Sequence, residues 1–397
     1  MPLPIRELPI VENWTCGQCA LCCRGTIVNL SDYDLKRFRE QGWEQHPDYR
    51  GKRLLVRTSW FPRRYRLAKR PDGQCVFLTD DGLCRIHCDL GEAAKPVVCR
   101  TFPFQLVTLD NTAYVTLRRY CPTAVQDLGE PVREQLGYVA ALAAEGKLAE
   151  RPTPPPRISA DRSTSWRRVL QVGDAVDRLL RDDRYPPVRR VVHMLRFAGL
   201  LEPCRISRVD EGDFASLVEM LESAVNEDEQ VAMAFRTRRA PRSSATMVFR
   251  QIGLEYSRLH PKFVIRETWL ERMRLVRAAI GFAWGKGKLP FLHECFPPGT
   301  FDTLNRPLGP LPNDVAQPIY RFFETMAVSK QYLLLCRQGW SVAESLRFLT
   351  ASYAVTLWLL RLSSGEQVPT RENAIDAVAA IDRGQGFALF TSARHRR

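Results

Sequence analysis

The spacing of apolar residues changes character near residue 160 of this 397-residue chain. Beyond that point apolar side chains recur every three or four residues, which is the period of an amphipathic helix. A first helix is predicted by Trp166, Val169, Leu170, Val172, Val176, Leu179 and Leu180. Further helices are predicted over 187–201, 212–237, 262–284, 317–338, 341–363 and 371–382, with linkers at 237–246 and 285–312. The second part of the chain is therefore predicted to be almost wholly α-helical.

Before residue 160 the apolar residues form shorter and less regular groups. Ser31 followed three residues later by Asp34 has the spacing of a capped helix start. Short strands are predicted at 73–78, 104–109 and 113–117, and the Asp110-Asn111 turn predicts a hairpin over 104–118. A longer helix is predicted over 131–149 by the spacing of Val132, Leu136, Val139, Leu142 and Leu148.

A proline-rich segment separates the two patterns. Arg151-Pro152-Thr153-Pro154-Pro155-Pro156 lacks the amide donors that a helix or a central strand requires. We therefore predict a cysteine-rich domain at 1–125, a helix and proline-rich linker at 126–160, and an α-helical domain at 161–397. The predicted fold class is mostly α, with a small irregular α+β domain at the N-terminus followed by the α-helical domain.

The chain is strongly basic. Its formal net charge is +14, and nine of its 58 basic residues are lysines while the other 49 are arginines. An arginine bias often follows genomic base composition, and the alternative is affinity for an acidic partner. Arg63-Arg64-Tyr65-Arg66, with Trp60 nearby, has the basic and aromatic mixture of a nucleic-acid surface. No helix-turn-helix, zinc-finger or RNA-recognition signature accompanies it, so we expect solvated loop charge and no nucleic-acid partner.

No segment has the features of a secretion signal or a membrane span. The first residues lack a basic region followed by an apolar run. The most apolar stretch, 348–360, is shorter than the about 20 residues that cross a bilayer, so we expect a buried helix there. The expected location is the cytoplasm, where thiols stay reduced and cysteines are more often metal ligands than disulfide partners.

Cysteines are concentrated in the first third of the chain. Nine of the twelve fall between Cys16 and Cys121, and the first four form C-x2-C-x2-C-C at Cys16, Cys19, Cys22 and Cys23. Thiolates at two-residue intervals can converge on one metal ion or one iron–sulfur cluster. Free cysteines also pack as small hydrophobic residues, but packing does not account for the regular spacing. We therefore predict that this domain is organised by a metal.

The adjacent Cys22 and Cys23 constrain the geometry of that site. In an extended chain neighbouring side chains point to opposite faces, so either the pair serves two sites or one thiol ligates while the other packs. Two four-ligand sites need eight ligands, and the region offers nine cysteines together with His87. The count permits two sites.

The identity of the metal stays open at this point. Zinc sites usually contain paired C-x2-C motifs. Three cysteines at two-residue spacing begin a ferredoxin-type run, whose last cysteine precedes a proline as Cys121 precedes Pro122. We favour an iron–sulfur cluster and keep zinc as the alternative.

Three further strings, Gly73–Leu78, Gly82–His87 and Lys95–Phe104, complete a resemblance to a known family. With the C-x2-C-x2-C-C run they resemble the bacterial cysteine-cluster family that has a zinc- or iron-chelating domain and includes the flagellin lysine N-methylases. The resemblance covers roughly residues 14–122. It implies a ligand set of Cys16, Cys19, Cys22, Cys23, Cys75, Cys84, Cys99 and Cys121. It leaves Cys88 outside the set. It gives His87 a role in packing or in supporting a ligand, and Arg100 either offsets thiolate charge or forms a surface salt bridge.

Two functions follow from this resemblance and from the residues. The resemblance implies an S-adenosylmethionine-dependent lysine N-methyltransferase with a flagellin-like protein substrate. The residues alone provide no glycine-rich loop after a strand for that donor and no identifiable general base, so catalytic and cofactor-binding residues stay unassigned. The alternative is a non-enzymatic zinc- or iron-binding module with a helical partner-binding domain. Cys204, Cys295 and Cys336 are predicted to pack in the helical core.

Overall fold

A computed structural model describes residues 3–148, 151–161, 164–236, 243–263 and 269–384. Its first part is a small α+β region and its second part is helical, as the sequence predicts. The strands are β1 (Ile5–Arg6), β2 (Asn29–Leu30), β3 (Leu55–Ser59), β4 (Arg64–Leu67), β5 (Phe104–Leu109) and β6 (Thr112–Leu117). The helices beside them are α1 (Leu21–Gly25), α2 (Asp32–Glu40), α3 (Arg85–Leu90), α4 (Val97–Thr101), α5 (Pro122–Val125) and α6 (Leu136–Glu145).

The six strands form two separate three-stranded sheets. One has the order β1-β6-β5, with β1 parallel to β6 and with β5 and β6 paired as an antiparallel hairpin. The other has the order β2-β4-β3 and is antiparallel. The predicted hairpin over 104–118 is confirmed, since Leu109 pairs with Thr112 across the turn. At the tip of the β3–β4 hairpin, Trp60 and Phe61 are exposed.

Local signals for helix starts are accurate in this region, whereas one predicted strand is wrong. Ser31 caps α2 in a capping box, because its hydroxyl accepts from the Asp34 amide and the Asp34 carboxylate accepts from the Ser31 amide. Residues 73–78 do not form a strand. They form tight turns with isolated bridges from Lys69 to Cys75 and from Leu78 to Cys84, because the chain bends to bury Phe77 in the core.

The second part of the chain is built from ten helices within the described ranges. They are α7 (Trp166–Arg181), α8 (Pro187–Leu201), α9 (Phe214–Asn226), α10 (Glu229–Arg236), α11 (Ser243–Ser257), α12 (Trp269–Trp284), α13 (Phe301–Asn305), α14 (Asn313–Val328), α15 (Val342–Ser364) and α16 (Arg371–Gly384). The predicted helix over 212–237 is two helices, α9 and α10. Its last residue lies outside the described residues, as do 237–242 of the predicted linker.

Two helical predictions differ from the structure for identifiable reasons. The predicted helix over 317–338 stops at Val328, and a 3-10 helix at Gln331–Gln338 follows. Between them Lys330 adopts a left-handed conformation, and its ammonium lies 2.5 Å from the Asp177 carboxylate. Helix α11 is missing from the predicted helices, and its first residues lie inside the predicted linker. Its first two turns are largely solvent-exposed, with Met247 and Val248 facing solvent.

Helix α15 lies at the centre of the helical part and packs against α8, α11 and α16. The apolar stretch 348–360 lies inside it, and most of its residues are buried, as predicted. Val107, Leu109 and Val125 of the first part pack into the same core. Within the described residues, no helix has both the length and the apolarity that a bilayer crossing requires.

Close packing around α15 predicts opposite effects for two glycine substitutions. A Cβ atom at Gly253 of α11 would stand 2.8 Å from the buried ring of Trp358, so we expect Gly253→Ala to cost about 1–3 kcal/mol. A Cβ atom at Gly199 of α8 meets nothing within 4 Å, so Gly199→Ala is expected to stabilise by about 0.4–1 kcal/mol. Urea denaturation of both variants checks the pair, and equal free energies of unfolding would contradict the packing described here.

Candidate metal centre

The eight candidate ligands come from five separate stretches of chain. Cys16 and Cys19 lie exposed in the loop before α1, and Cys22 and Cys23 lie within α1. Cys75 is in the turn that follows Lys69, and Cys99 is in α4. Cys84 and Cys121 are the residues that immediately precede α3 and α5. The fold therefore has to bend several times to bring any of them together.

Backbone contacts bring the middle stretch against α1. The Cys75 amide donates to the Cys23 carbonyl at 2.8 Å. Gly82 turns the chain with a φ of +80°, and its position faces the Ala20 side chain. Ala20 itself is left-handed, with a φ of 59°, which lets the loop pass directly into α1. These turns place the segments of Cys75 and Cys84 beside the vicinal pair.

Five thiols interact with one another at this place, and we call them the five-thiol group. Its members are Cys22, Cys23, Cys75, Cys84 and Cys99. Burial raises the pKa of Cys99 well above its usual range, and the neighbouring Cys75, Cys84 and Cys22 raise it further. Burial likewise raises the pKa of Cys75 to about 11, and Cys84 and Cys22 add to it. Such mutual repulsion between thiolates is relieved when a metal cation binds among them.

The vicinal pair does not have the geometry expected from an extended chain. Both residues lie in the helix α1, where neighbouring side chains are about 100° apart rather than opposite. A hydrogen bond from the Cys23 thiol lowers the pKa of Cys22 to about 7, and the same bond raises the pKa of Cys23. The structure therefore places both sulfurs in one group.

Backbone amides and one lysine favour the thiolate form of this group. The sulfur of Cys84 accepts from the amides of His87 and Ile86, and the sulfur of Cys75 accepts from that of Phe77, which partly offsets the rise in pKa that burial causes. The ammonium of Lys95 lowers the pKa values of Cys22, Cys84 and Cys99. Sequence reasoning missed Lys95, although its position directly before Pro96 and four residues from Cys99 is a usable signal.

Of the two roles predicted for Arg100, the structure shows the salt bridge. Its guanidinium lies 2.7 Å from the Glu145 carboxylate, so it forms a salt bridge. Cys88, which the sequence leaves outside the ligand set, is exposed on α3. His87 is exposed on the same helix, so its predicted packing role is wrong. Cys204, Cys295 and Cys336 are half-buried and pack against the helical core, as predicted.

Cys121 packs in a different apolar cluster from Cys75, Cys84 and Cys99. It is buried in a small apolar cluster with Phe104 and Leu117. Burial raises its pKa, while the amides of Ala124 and Thr123 oppose the rise. The buried indole N–H of Trp14 approaches the Cys121 sulfur without completing a hydrogen bond.

The two exposed cysteines of the first motif lie on the side of α5. Gly17, next to Cys16, stands so near Thr123 that a Cβ atom on it would be 3.1 Å from the hydroxyl oxygen. Cys19 and Cys22 both raise the pKa of Tyr120, whose burial raises it most. Tyr120 is therefore near both Cys19 and Cys22, and Cys22 belongs to the five-thiol group. It also directly precedes Cys121 in the chain.

The donor set fits a thiophilic metal in its chemistry. Thiolates are soft ligands and select zinc, iron–sulfur clusters or copper(I). Among the residues that the structure describes, no three His, Cys, Asp or Glu side chains already stand in a metal-holding arrangement. The cysteine side chains therefore have to turn toward a common centre when they ligate.

A comparison with known protein families addresses this same region. Residues 15–122 match the CxxCxxCC family. That family is described as "Putative zinc- or iron-chelating domain", and the match begins directly before Cys16 and ends directly after Cys121. It supports a metal-binding cysteine cluster in the first part of the chain.

A curated relative matches a stretch of similar length. It is an uncharacterized protein of Methanocaldococcus jannaschii that is 30% identical over 112 residues, or 28% of this chain. The matched part spans 36% of that relative's length. No solved structure matches the chain.

Proposed function

We propose that the five-thiol group holds one thiolate-ligated metal centre of the zinc or iron type. The observation that carries the proposal is the convergence of Cys22 and Cys23 with Cys75, Cys84 and Cys99, which come from four separate segments. A Lys95 ammonium beside them offsets part of the thiolate charge. The centre joins α1, α3 and α4 and thereby fixes a region that has little regular secondary structure.

A second centre at the outer side of α5 is part of the same proposal. Cys16 and Cys121 are candidate ligands of this second centre. Cys19 is near Tyr120, between the second centre and the five-thiol group. This division accounts for eight ligands without requiring all of them at one ion. Elemental analysis of Cys16→Ser/Cys121→Ser tests this second centre. We expect this variant to lose part of the bound metal and to keep the part that the five-thiol group holds, whereas unchanged metal content would refute the second centre.

We propose an iron–sulfur cluster in preference to zinc. The reason is the C-x2-C-x2-C spacing at Cys16, Cys19 and Cys22, which begins ferredoxin-type ligand runs. In two-cluster ferredoxins the cysteines of one such run are shared between two clusters, which agrees with the division of these cysteines between two centres. Anaerobic purification followed by an absorption spectrum and by iron, sulfide and zinc analysis decides the question. Brown protein with stoichiometric iron and sulfide supports the cluster, whereas colourless protein with zinc rejects it.

Substitution of the vicinal pair gives the sharpest test of the five-thiol group. We expect Cys22→Ser/Cys23→Ser to lose most of the bound metal, because serine oxygen is a poor ligand for a thiophilic ion. The matched control is Cys88→Ser/Cys204→Ser, which replaces one exposed and one half-buried thiol outside the group. Elemental analysis of both purified variants provides the measurement. Unchanged metal content in the first variant would refute the assignment.

The biochemical role that we propose is a non-enzymatic metal-holding module joined to a helical partner-binding part. Methylation of protein lysines remains a prediction from the resemblance to the flagellin lysine N-methylases, and the comparisons give it no support. Calorimetry with S-adenosylmethionine and the metallated protein distinguishes the two. Saturable heat at a stoichiometry of one would favour the enzyme, and no heat would exclude it.

A further inference from the structure

Helix α12 has apolar side chains on two opposite faces. Its inner face buries Ala278 and Phe282. Its outer face carries five apolar side chains, which we call the outer stripe: Trp269, Met273, Val276, Ile280 and Trp284. Trp269 is 71% exposed and Trp284 is 74% exposed. A helix with apolar residues on both faces is normally covered on both.

The outer stripe is continuous along the whole helix. Its members follow one another at steps of four, three, four and four residues. At 3.6 residues per turn they fall within about 80° of the helix circumference. Large exposed apolar patches of this kind mark interaction sites.

Arginines flank the stripe on both sides. On a helical projection Arg272 lies at one edge and Arg277 lies at the other, and both are exposed. The one acidic residue of α12 is Glu271, whose carboxylate lies 2.8 Å from the Arg274 guanidinium. The surface around the stripe is therefore cationic, in a chain whose formal net charge is +14.

This charge pattern argues against pairing with a second copy of the same stripe. Two such faces would bring Arg272 and Arg277 of each copy together without opposing carboxylates, which disfavours association. The size of the stripe argues against a stable protein interface built on it alone. A helix of 16 residues is about 24 Å long and about 10 Å wide, which is a small footprint beside the about 800 Å² that each partner contributes to a stable complex.

We propose that α12 docks the protein on an anionic lipid bilayer surface. A convex helix face with a continuous apolar stripe lies flat in the interface between lipid headgroups and acyl chains. Trp269 and Trp284, at the two ends of the stripe, have the amphipathic rings that favour this interface. Arg272 and Arg277 extend from the two edges of the stripe toward lipid phosphates, which supplies the electrostatic attraction.

Vesicle co-sedimentation of the full-length, metal-loaded protein tests the proposal. The vesicles are phosphatidylcholine with phosphatidylserine, and phosphatidylcholine alone. We expect binding to the anionic vesicles that weakens with added salt, and weaker binding to the neutral ones. The variant Trp269→Ser/Trp284→Ser is expected to reduce anionic-vesicle binding by roughly tenfold or more.

A matched control variant distinguishes the effect of the outer stripe from a general loss of exposed apolar side chains. Met220→Ser/Val368→Ser removes two exposed apolar side chains that lie outside α12, and it is expected to bind like the unmodified protein. Arg272→Gln/Arg277→Gln is expected to weaken binding to anionic vesicles only. Circular dichroism verifies that each variant is folded.

Three outcomes would overturn the proposal. The first is no binding of the unmodified protein to anionic vesicles at low salt. The second is an equal loss of binding in the control variant. The third is a protein that does not bind vesicles but forms a concentration-dependent dimer in analytical ultracentrifugation. If Trp269→Ser/Trp284→Ser abolished that dimer, the outer stripe would be the contact with a second copy.

Discussion

Metal removal is expected to unfold residues 16–100 while the helical part of the chain stays folded. The helices here have five to nine residues, and the associated apolar core has eight buried residues. Cys75, Cys84 and Cys99 pack directly against that core. Thiolate ligation of zinc contributes about 10–16 kcal/mol in small domains, which is as much as the whole stability of a typical domain at about 5–15 kcal/mol.

Hydrogen exchange followed by mass spectrometry measures this effect segment by segment. After treatment with a chelator we expect peptides from 16–100 to lose protection. We expect peptides of β5, β6 and α15 to retain it, because Val107 and Leu109 belong to the helical core. The matched control is Cys22→Ser/Cys23→Ser, in which the chelator should have little further effect. Apo protein with an unchanged melting curve and unchanged exchange would contradict the proposed role of the metal.

The sequence was most informative where signals are local. The C-x2-C-x2-C-C spacing located the metal-chelating region, and the capping residues of α2 and the hairpin turn at Asp110 were correctly predicted. Each of these signals depends on residues within a few positions of one another, so no knowledge of distant contacts was needed.

The grouping of the cysteines was not predictable in this way. It depends on the left-handed Ala20, on the Gly82 turn and on the bond from the Cys75 amide to the Cys23 carbonyl. Cys22 and Cys23 would point to opposite sides of an extended chain, whereas the short helix α1 points both sulfurs into one group. Local propensity is too weak to reveal such a helix of five residues, because tertiary contacts stabilise it.

Exposure of an apolar face was equally hidden from the sequence. Periodicity predicts a helix over 262–284, which contains all of α12, while 264–268 lie outside the described residues. It cannot show which of two apolar faces is packed. Only the structure shows that Ala278 and Phe282 are buried while Trp269 and Trp284 are exposed.

A buried ion pair of the first part of the chain lies against the helical part. The Arg119 guanidinium lies 2.6 Å from the Glu12 carboxylate, and both side chains are almost fully buried. Arg119 also donates to the Ala124 carbonyl and, at 3.4 Å, to the Thr325 hydroxyl of α14. Burial raises the pKa of Glu12, and the charge of Arg119 opposes that rise.

Arg119→Met is therefore expected to lower the free energy of unfolding by about 3–5 kcal/mol, because it leaves the Glu12 carboxylate buried without its partner. Arg119→Met/Glu12→Leu should regain much of this loss, since replacing both charges by apolar groups is often nearly neutral. Arg184→Met is the matched control, because Arg184 is largely exposed in its ion pair with Asp182. Loss of that pair should lower the free energy of unfolding by less than about 1 kcal/mol. Urea denaturation measures all three variants. If the double variant were no more stable than Arg119→Met, the cost would come from lost packing of the arginine and not from an unpaired buried charge.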